Sequence, residues 1–474
     1  MKSDLQTRLE RLKGINGLHR GVRDLPSTRT TGSARPMATR RVEEFVEGEL
    51  IDTPYGPCFV VETRYALDEV RARWRYRDWL TLPPDAPAHL ARDLALRDFS
   101  LAGTVFVDTE TTGLSGGTGT YAFLVGVGTF EPAPDAPQPS SIPVAAPQEP
   151  STASSEQPAT SNEPRVTSNQ QPVTDFVIRQ FFMRHPGEER ALLYALSRVL
   201  DRCTSVVSFN GRSFDLPLLN TRFLMFHELP RLHDAPHLDL LHPARRIWRP
   251  RLSSCALSSL ETEVLGLRRA TVDVPGWLIP RLYLDYVRTG DPGEMVSVFY
   301  HNLEDIRSLV PLAVTLGRLF DRERAGPEVA AEAGLHPMDY VSLARDYELL
   351  GWLEAGEATY REALKHALPP DLQRVVISRL SFLLKRQERR AEAAELWQDW
   401  ITSVPGDDVT PYVELAKYYE WHEVNLEAAQ MWTRWALHIA ERLPSSLRRD
   451  TLLAELRHRL RRLERKTWNA YGRR

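Results

Sequence analysis

The sequence predicts an α/β domain with a mixed central sheet flanked by helices, followed by an all-α domain. Two observations lead to this expectation. Between residues 104 and 325, strand-like segments come first and then alternate with amphipathic helices, which is typical of an α/β domain. After about residue 335, the segments have helical spacing only. The length of 474 residues suits two or three domains.

The composition is that of a globular protein. Hydrophobic residues make up 42% of the chain, and the formal net charge is only −3, so any nucleic-acid surface must be local. Cys58, Cys203 and Cys255 are far apart, which argues against a disulfide framework and a cysteine-rich zinc site. No apolar run has membrane-spanning length, and the N-terminus lacks an apolar signal core. We therefore expect a soluble, cytoplasmic protein without a membrane partner.

Two segments of biased composition stand apart from these domains. Residues 1–41 are rich in Arg, Ser, Thr and Gly and predict a flexible basic arm, either a solvated tail or a segment that touches nucleic acid. Residues 131–173 are rich in Pro, Ser, Ala and Gln and predict a disordered insertion. Because strand-like AFLVGVGTF and DFVIRQFFM flank this insertion, we expect it to enlarge a hairpin loop within one domain.

The α/β domain is expected at residues 42–325. Its first part contains the strand candidate CFVVETRYAL and helical spacing in APAHLARDLALRDF, and we expect it to pack on the segments that follow. The later elements are predicted as the strands of FVDTETTGLSGGTGTYAFLVGVG, the helix GEERALLYALSRVLDRC, the strand SVVSFN, a helix in DLPLLNTRFLMFH, the strand and helix of HLDLLHPARRIW, and the long helix SVFYHNLEDIRSLVPLAVTLGRLF.

Residues 335–470 are predicted to form helical repeats. Equivalent positions recur with a shift of 36 residues, close to the ~34 of tetratricopeptide-type helical hairpins. Such repeats stack into a concave surface, which predicts a protein partner there. An ordinary helical bundle is the alternative. The aligned positions are Ala344 and Tyr347, Leu380 and Leu383, and Ala416 and Tyr419.

Two carboxylates at the end of a buried strand are the first sign of a catalytic site. Asp108 and Glu110 are two residues apart and therefore point to the same face of the strand. Bare carboxylates in this position would repel each other and lose hydration. Divalent cations prefer such oxygen ligands, so the pair predicts a metal site if the chain supplies further ligands.

Later segments supply candidates for those ligands. Asp215 stands near a helix start after the turn that follows SVVSFN, where it could equally cap the helix. His301 and Asp305 are four residues apart and share one face of the long helix. An apolar stripe close to Asp305 favours an inward position, and a solvated helix face is the alternative.

Together these segments resemble the three motifs of the DEDD (DnaQ-like) exonuclease superfamily, which has a ribonuclease-H-like fold. Asp108 and Glu110 match the D-x-E motif. The second motif, N-x-x-x-F-D-L-P, is matched by Asn210, Phe214, Asp215, Leu216 and Pro217. The third motif is Y-x-x-x-D or H-x-x-x-x-D, whereas this chain has His301 four residues and Tyr300 five residues before Asp305. The residue that assists the water is therefore open between His301 and Tyr300.

A more extended resemblance covers about residues 45–320. The stretches FVDTETTGLSGGTGTYAFLVGVG, HLDLLHPARRIWRPRLSSCALSSLE, DVPGWLIPRLYLDYVRTGD and HNLEDI are similar, in this order, to the YprB-type ribonuclease-H-like domain, which is often coupled to helical repeats. An H/Y-N-x-x-D third motif is usual in that family, which favours His301 over Tyr300.

The resemblance implies a metal-dependent nuclease, specifically a 3′→5′ exonuclease that acts on single-stranded DNA or RNA ends. Asp108, Glu110, Asp215 and Asp305 would hold two Mg²⁺ or Mn²⁺ ions, and His301 would orient or deprotonate the attacking water. Because the carboxylate set is complete, the sequence favours an enzyme. The alternative is a catalytically silent nucleic-acid-binding or scaffold protein that acts through its helical repeats.

The substrate would be held by a second group of residues. Thr109, Thr111 and Gly113 lie where the terminal nucleotide packs in similar enzymes, and the alternative is a flexible turn. Asn210 would hold the terminal nucleotide or a metal-bound water, or it would cap its turn, and Phe214 belongs to the same motif. In ARRIWRPR, Arg245 and Trp248 interleave a cation with an aromatic ring, which suits phosphate contact and base stacking. A solvated helix face is the rival interpretation.

Overall fold

The computed structural model describes residues 41–113, 119–133, 173–228, 231–270, 273–404 and 406–471. The predicted basic arm, apart from residue 41, and most of the predicted Pro/Ser-rich insertion lie outside the described residues. The described residues belong to one compact unit. The α/β part and the helical part are therefore described together.

A seven-stranded mixed sheet forms the centre of the α/β part. Its strand order is β1-β2-β7-β6-β5-β8-β9, in which β5, β8 and β9 run parallel and the other neighbouring pairs are antiparallel. A small antiparallel pair, β3 and β4, lies outside this sheet. The strands are β1 (Glu49–Thr53), β2 (Gly56–Ala66), β3 (Val70–Arg71), β4 (Trp74–Arg75), β5 (Thr104–Thr111), β6 (Ala122–Glu131), β7 (Asp175–Phe182), β8 (Ser205–Ser208) and β9 (His237–Asp239).

Helices cover both faces of the sheet, as the predicted fold class requires. The most extensive is the 25-residue α8. The helices of this part are α1 (Arg77–Leu80), α2 (Ala86–Ala91), α3 (Glu189–Leu200), α4 (Asp215–Met225), α5 (Leu241–Trp248), α6 (Leu257–Leu260), α7 (Ile279–Thr289) and α8 (Met295–Leu319), with short 3₁₀ or π turns at Val42–Glu44, Leu94–Asp98, Pro186–Glu188, Arg231–Asp234, Glu261–Leu265 and Gly276–Leu278.

Strand β5 lies between β6 and β8, and both of its faces are buried because its side chains enter two core clusters. Val105 and Val107 belong to the core cluster that includes α3 and the first turns of α8, whereas Phe106 belongs to the cluster that includes the middle and end of α8. This alternation follows from the two-residue period of a strand. Asp108 and Glu110 therefore continue the face that Phe106 presents towards α8.

Close approach of α8 to the sheet depends on a glycine of β6. Gly126 pairs with Asp108 across the ladder. A Cβ atom at Gly126 would lie 2.2 Å from Ile306 Cδ1 and 2.3 Å from Asn302 Oδ1. A side chain there would push α8 away from the strand that carries the carboxylates, so the glycine helps to position the site.

The two strands that flank the predicted insertion pair with each other. Strand β6 ends at Glu131, and the antiparallel strand β7 begins at Asp175. These two residues are register partners. The prediction that these segments form one hairpin is confirmed, because the chain leaves and re-enters the sheet at neighbouring positions.

The helical part consists of hairpins that follow one another along the chain. After α9 (Pro327–Glu332), three hairpins are formed by α10 and α11, α12 and α13, and α14 and α15, followed by the long α16. The prediction of a helical region is confirmed, and the tetratricopeptide assignment stays a prediction. The bounds are α10 (Asp339–Leu350), α11 (Leu353–Leu364), α12 (Pro370–Arg386), α13 (Arg390–Ser403), α14 (Thr410–Trp421), α15 (Leu426–Arg442) and α16 (Leu447–Tyr471).

The hydrophobic core continues from the α/β part into the helical part. Trp248 of α5, Tyr347 of α10 and Trp397 of α13 belong to one buried cluster. Two ion pairs cross the same boundary: Arg251 Nε lies 2.9 Å from Asp339 Oδ1, and Arg246 Nε lies 3.1 Å from Asp346 Oδ2. The helical part is therefore fixed against the end of α5 by both apolar packing and ion pairs.

Candidate active site

The carboxylate of Asp108 is positioned by a chain of buried amides. Asn302 of α8 donates a hydrogen bond from Nδ2 to Asp108 Oδ2 over 2.8 Å. Gln180 of β7 donates from Nε2 to Asn302 Oδ1 over 2.9 Å, which makes Asn302 present its NH₂ group to the carboxylate. Both amides are buried. The sheet and α8 together thus determine where Asp108 lies.

Asp215 is brought to β5 by α4, of which it is the first residue. The Thr109 hydroxyl donates a hydrogen bond to Asp215 Oδ1, which joins β5 to α4. Gly211 lies beside this carboxylate, since a Cβ atom there would be 3.1 Å from Asp215 Oδ2 and 2.4 Å from Ser208 Oγ. A residue with a side chain would not fit between β8 and Asp215.

The four predicted carboxylates interact with one another. Burial raises the pKa of Asp108 well above its usual value, and the charges of Asp305 and Asp215 raise it further. Burial and the charges of Asp108, Asp305 and Asp215 do the same for the pKa of Glu110. Burial is also the main reason that the pKa of Asp215 is raised to about 6. Part of the cluster therefore favours the protonated form unless positive charge is added.

Arg269 supplies one positive charge to this cluster. Its guanidinium makes a bidentate contact with Glu261, with both nitrogen–oxygen distances at 2.7 Å, and a salt bridge to Asp305. Burial alone would lower the pKa of Arg269, but the hydrogen bonds and charges of Glu261 and Asp305 raise it above the usual value. Asp305 is thus engaged by an arginine that sequence reasoning did not include in the site.

His301 faces the carboxylates from α8. Its Nε2 atom lies 3.6 Å from Asp305 Oδ2 and 4.0 Å from Glu110 Oε1. On the other side of the ring, Nδ1 lies 2.8 Å from Asp273 Oδ1 and 3.3 Å from Arg269 Nη1. Nδ1 cannot donate to Asp273 and accept from Arg269 at the same time. The shorter contact favours a protonated Nδ1 that donates to Asp273, which leaves Nε2 as the acceptor.

Tyr300 occupies a different environment from His301. Its hydroxyl oxygen accepts a hydrogen bond from the Ala270 backbone N–H over 2.8 Å. The structure therefore places the His301 ring, and not the Tyr300 hydroxyl, beside the carboxylates.

The remaining predicted substrate residues fall into two groups. Thr111 donates from Oγ1 to the Gly113 carbonyl over 2.8 Å, so these residues close the end of β5 on each other. Asn210 has a φ of +68°, and its N–H donates to Asp239 Oδ1 over 2.8 Å. Its backbone is thereby held in a left-handed conformation at the end of β8.

Phe214 and Arg245 are exposed and fit a role in substrate binding, whereas Trp248 does not. Phe214 precedes Asp215 and is 53% exposed, and Arg245 is exposed on α5. Trp248 is 0% exposed in the core. The expectation that Trp248 stacks on a base is wrong, because helical spacing places it with Ala244 on the buried face of α5.

Sequence reasoning did not identify Arg269, Asp273 or the exposed Trp277. Trp277 is 73% exposed, and a Cβ atom at the preceding Gly276 would lie 3.8 Å from His301 Nε2. The only sequence signal was the presence of Asp273 and Trp277 in the stretch DVPGWLIPRLYLDYVRTGD.

The donor set suits a divalent cation, although the side chains do not form a coordination site as they stand. Within the described ranges, no group of three or more His, Cys, Asp or Glu residues is arranged to hold a metal ion. Carboxylate oxygens are nevertheless the ligands that Mg²⁺ and Mn²⁺ prefer. Arg269 already contributes a positive charge at Asp305. The site therefore fits a cation if Asp305 exchanges its guanidinium partner.

Comparison with known proteins identifies the domain that carries this site. Residues 166–317 match the family model of the RNase_H superfamily. This segment is therefore similar to the RNase_H superfamily. The matched residues include Asp215, His301 and Asp305, whereas Asp108 and Glu110 precede them. An RNase-H-like domain suggests nuclease activity and implies nucleic-acid binding, and nucleases of this kind usually use divalent metals.

The chain is also similar to a bacterial protein over most of its length. It is 29% identical over 337 residues to a Bacillus subtilis (strain 168) protein named "Uncharacterized protein YprB". The aligned part covers 70% of this chain and 68% of that protein.

In the described part of the chain, no helix is long and apolar enough to cross a membrane.

Proposed function

We propose that this protein is a divalent-metal-dependent 3′→5′ exonuclease that hydrolyses phosphodiester bonds at single-stranded DNA or RNA ends. The observation that supports the proposal is a set of four interacting carboxylates, Asp108, Glu110, Asp215 and Asp305, with a histidine at its edge. The set lies in a chain with an RNase_H superfamily domain.

The carboxylates would act as ligands of two Mg²⁺ or Mn²⁺ ions. When bound, such ions activate the nucleophile and stabilise the charge that develops on the phosphate. Asn302 holds the Asp108 carboxylate, and the Thr109 hydroxyl holds that of Asp215. These hydrogen bonds limit the freedom of the ligands before a cation arrives, so less conformational entropy is lost on binding.

His301 would accept a proton from the attacking water. Asp273 accepts the Nδ1–H hydrogen bond over 2.8 Å, and Nε2 is thereby directed towards Asp305 and Glu110. A carboxylate that fixes the tautomer of a histidine also stabilises the imidazolium that forms when the proton is taken.

Arg269 would exchange partners when cations bind. Its salt bridge to Asp305 offsets negative charge in the cluster, and its bidentate contact with Glu261 holds the guanidinium beside the site. We propose that a cation replaces the guanidinium at Asp305 while Arg269 keeps its contact with Glu261.

Exposed aromatic rings support a preference for unpaired bases. Phe214 is adjacent to Asp215, and Trp277 is one residue from the glycine beside His301. Both rings are more than half exposed, at 53% and 73%. Aromatic rings of this kind stack on unpaired bases and tolerate any base sequence.

Two observations also favour a second function. The Arg269–Asp305 salt bridge and the lack of a three-ligand group among the described residues would also suit a catalytically silent nucleic-acid-binding protein. In that case Arg269 would replace the cation permanently.

Digestion of labelled oligonucleotides in Mn²⁺ separates the two functions. We expect wild type to shorten DNA or RNA labelled at the 5′ end in single-nucleotide steps, and Asp108→Ala to leave the strands intact. Stepwise loss from the 5′ end would disprove the polarity, and internal cleavage would indicate an endonuclease. Equal or absent cleavage in both proteins would favour the silent alternative.

The role of His301 is tested in the same assay. If His301→Phe cleaves as fast as wild type while Asp305→Asn is inactive, His301 does not act as the base.

A further inference from the structure

A polar cavity adjoins the carboxylate site at the end of β8. It has a volume of about 630 Å³ and is lined by Asn210, Arg245, Arg249, Ser253 and Ser254, among others. Asn210 is followed by Gly211, whose backbone lies against the Asp215 carboxylate. The cavity therefore begins one residue away from the site at which the phosphodiester would be hydrolysed.

The two arginines of this cavity are available for an anion. Arg245 and Arg249 are one helical turn apart at the end of α5, and both are exposed. Neither has an acidic partner within 4 Å among the described residues. Burial raises the pKa of the Cys255 thiol, and the charges of both arginines lower it by a smaller amount. Their charges therefore converge on this cavity.

A second cavity continues the basic surface into the helical part. Its volume is about 530 Å³, and its lining includes Pro250, Arg345, Arg374, Arg379 and Asp408. Pro250 directly follows Arg249, so each of the two cavities has a lining residue at the end of α5. Three arginines and one aspartate line this cavity, and Arg374 also lies 3.5 Å from Asp371 outside the lining. The Asp408 carboxylate accepts the Thr410 N–H over 2.9 Å.

The helical side of this cavity also offers positive charge. Arg345 of α10 is exposed, and within the described ranges it has no recorded ion pair. Arg379 of α12 lies 3.3 Å from Glu348, which it shares with Arg386. One carboxylate between two guanidiniums leaves a net positive charge on this face.

We propose that these two cavities form a basic track, from Asn210 over Arg245 and Arg249 to Arg345 and Arg379, that binds the phosphates of a single nucleic-acid strand. The choice of a single nucleic-acid strand as the ligand rests on the proposed function. The helical part then holds the substrate far from its reacting end, because the track begins beside Asp215 and consists of arginines spaced along one surface. A phosphate backbone carries a charge at every nucleotide and suits such a row.

The proposal is tested by oligonucleotide binding to the full chain in EDTA, which prevents metal-dependent cleavage. Fluorescence anisotropy is measured with labelled oligothymidylate and oligouridylate of about 4 and about 16 nucleotides. Three double variants are compared with wild type: Arg245→Ala/Arg249→Ala, Arg345→Ala/Arg379→Ala, and the control Arg322→Ala/Arg448→Ala. The control removes two exposed arginines that line neither cavity.

We expect both track variants to weaken binding of the long strands about 10-fold, and the control to change it less than about 2-fold. The salt dependence gives a second readout. Loss of two phosphate contacts lowers the slope of log affinity against log salt by about 1.4 for a single strand. For the short strands, only Arg245→Ala/Arg249→Ala should weaken binding, because a short strand does not reach the helical part.

Two results would overturn the proposal. One is unchanged binding of the long strands by Arg345→Ala/Arg379→Ala with an unchanged salt slope. The other is a preference of the helical face for a protein: the same variant loses binding of an acidic peptide, poly-glutamate, but keeps that of oligonucleotides. Thermal unfolding of each variant identifies any loss that is due to misfolding.

Failure of the track and failure of the proposed hydrolysis are distinguishable. If Asp108→Ala abolishes cleavage but the track variants bind normally, the nuclease proposal stands and the track is wrong. If wild type cleaves nothing in Mn²⁺ but the track variants lose binding, the track stands and the hydrolysis proposal is wrong.

Discussion

Buried carboxylates occur in two regions of this molecule. In one region neighbouring cations compensate the negative charge, and in the other they do not. In the helical part, the Glu420 side chain is 0% exposed and lies 3.0, 2.7 and 2.8 Å from Arg459, Arg462 and Lys466. Burial alone would raise the pKa of Glu420, but the hydrogen bond from Lys466 and the charges of Arg462 and Arg459 lower it. This carboxylate is fully compensated by neighbouring cations.

The carboxylates of the candidate site are not compensated in this way. Asp108, Glu110 and Asp215 all have raised pKa values, and Arg269 contacts the cluster at Asp305. A fold gains no stability from like charges that are buried together. Strongly perturbed carboxylates therefore indicate a functional site, whereas paired ones such as those of the helical part indicate structure.

Asp108→Asn gives the largest effect expected from this contrast. Asparagine keeps the shape of the side chain and removes its charge, so hydrolysis should fall by about 10³-fold or more. In EDTA near neutral pH, the same change should raise the free energy of unfolding by about 1 kcal/mol, because repulsion within the cluster is relieved. Oligonucleotide cleavage and urea unfolding measure the two effects. A variant that is less stable than wild type would contradict the view that the cluster is uncompensated.

Asp273→Asn should reduce cleavage by about 10- to 100-fold, because Asp273 orients the His301 ring without touching the substrate. KM should remain close to that of wild type. The control is the double variant His301→Phe/Asp273→Asn, which should be no slower than His301→Phe alone. If the two losses add instead, Asp273 acts independently of His301.

Glu420→Gln should destabilise the protein by about 2 kcal/mol and leave cleavage unchanged. The substitution removes the charge that Arg459, Arg462 and Lys466 share, although partial exposure of these cations limits the cost. Urea unfolding and the oligonucleotide assay measure the two properties. Unchanged stability would mean that water compensates the three cations as well as Glu420 does.

The pH dependence of stability should have opposite signs in the two regions. The folded pKa of Asp215 is about 6, above the ~4 of an unfolded aspartate, so the folded state binds more protons between these values. Its contribution is full below about pH 4 and is lost as the pH rises through about 6, by up to about 3 kcal/mol. The pKa of Glu420 is lowered, so its contribution is full above about pH 4.3 and is lost as the pH falls further.

These signs are measured as differences in unfolding free energy across pH in EDTA. Wild type minus Asp215→Asn should decrease as the pH rises, and wild type minus Glu420→Gln should increase. If both differences change in the same direction, the two regions do not differ in the way described.

Much of the fold and the carboxylate cluster could be predicted from the sequence because they depend on local patterns and on a family resemblance. Asp108 and Glu110 lie at the end of a buried strand, and the structure brings them together with Asp215 and Asp305. Arg269 could not be placed, since its contacts with Glu261 and Asp305 depend on how a loop folds back on α8.

Trp248 shows a different source of error. The stretch ARRIWRPR was interpreted as an alternation of cations and an aromatic ring, whereas its helical period separates a buried face from an exposed one. Trp248 lies on the buried face with Ala244 and Ile247, and Arg245 and Arg249 lie on the exposed face. The arginines therefore keep their predicted surface role, and the tryptophan packs in the core.

Cation binding tests the central claim most directly, namely that the uncompensated carboxylates form a metal site. Thermal unfolding is followed while Mn²⁺ or Mg²⁺ is added to wild type, Asp108→Asn and Glu420→Gln. A ligand at about 100 times its Kd stabilises the folded state by about 2.7 kcal/mol. We predict that Tm rises for wild type and Glu420→Gln, by the amount that corresponds to about this free energy. We predict no rise for Asp108→Asn. An equal rise in all three proteins, or none in wild type, would contradict the claim.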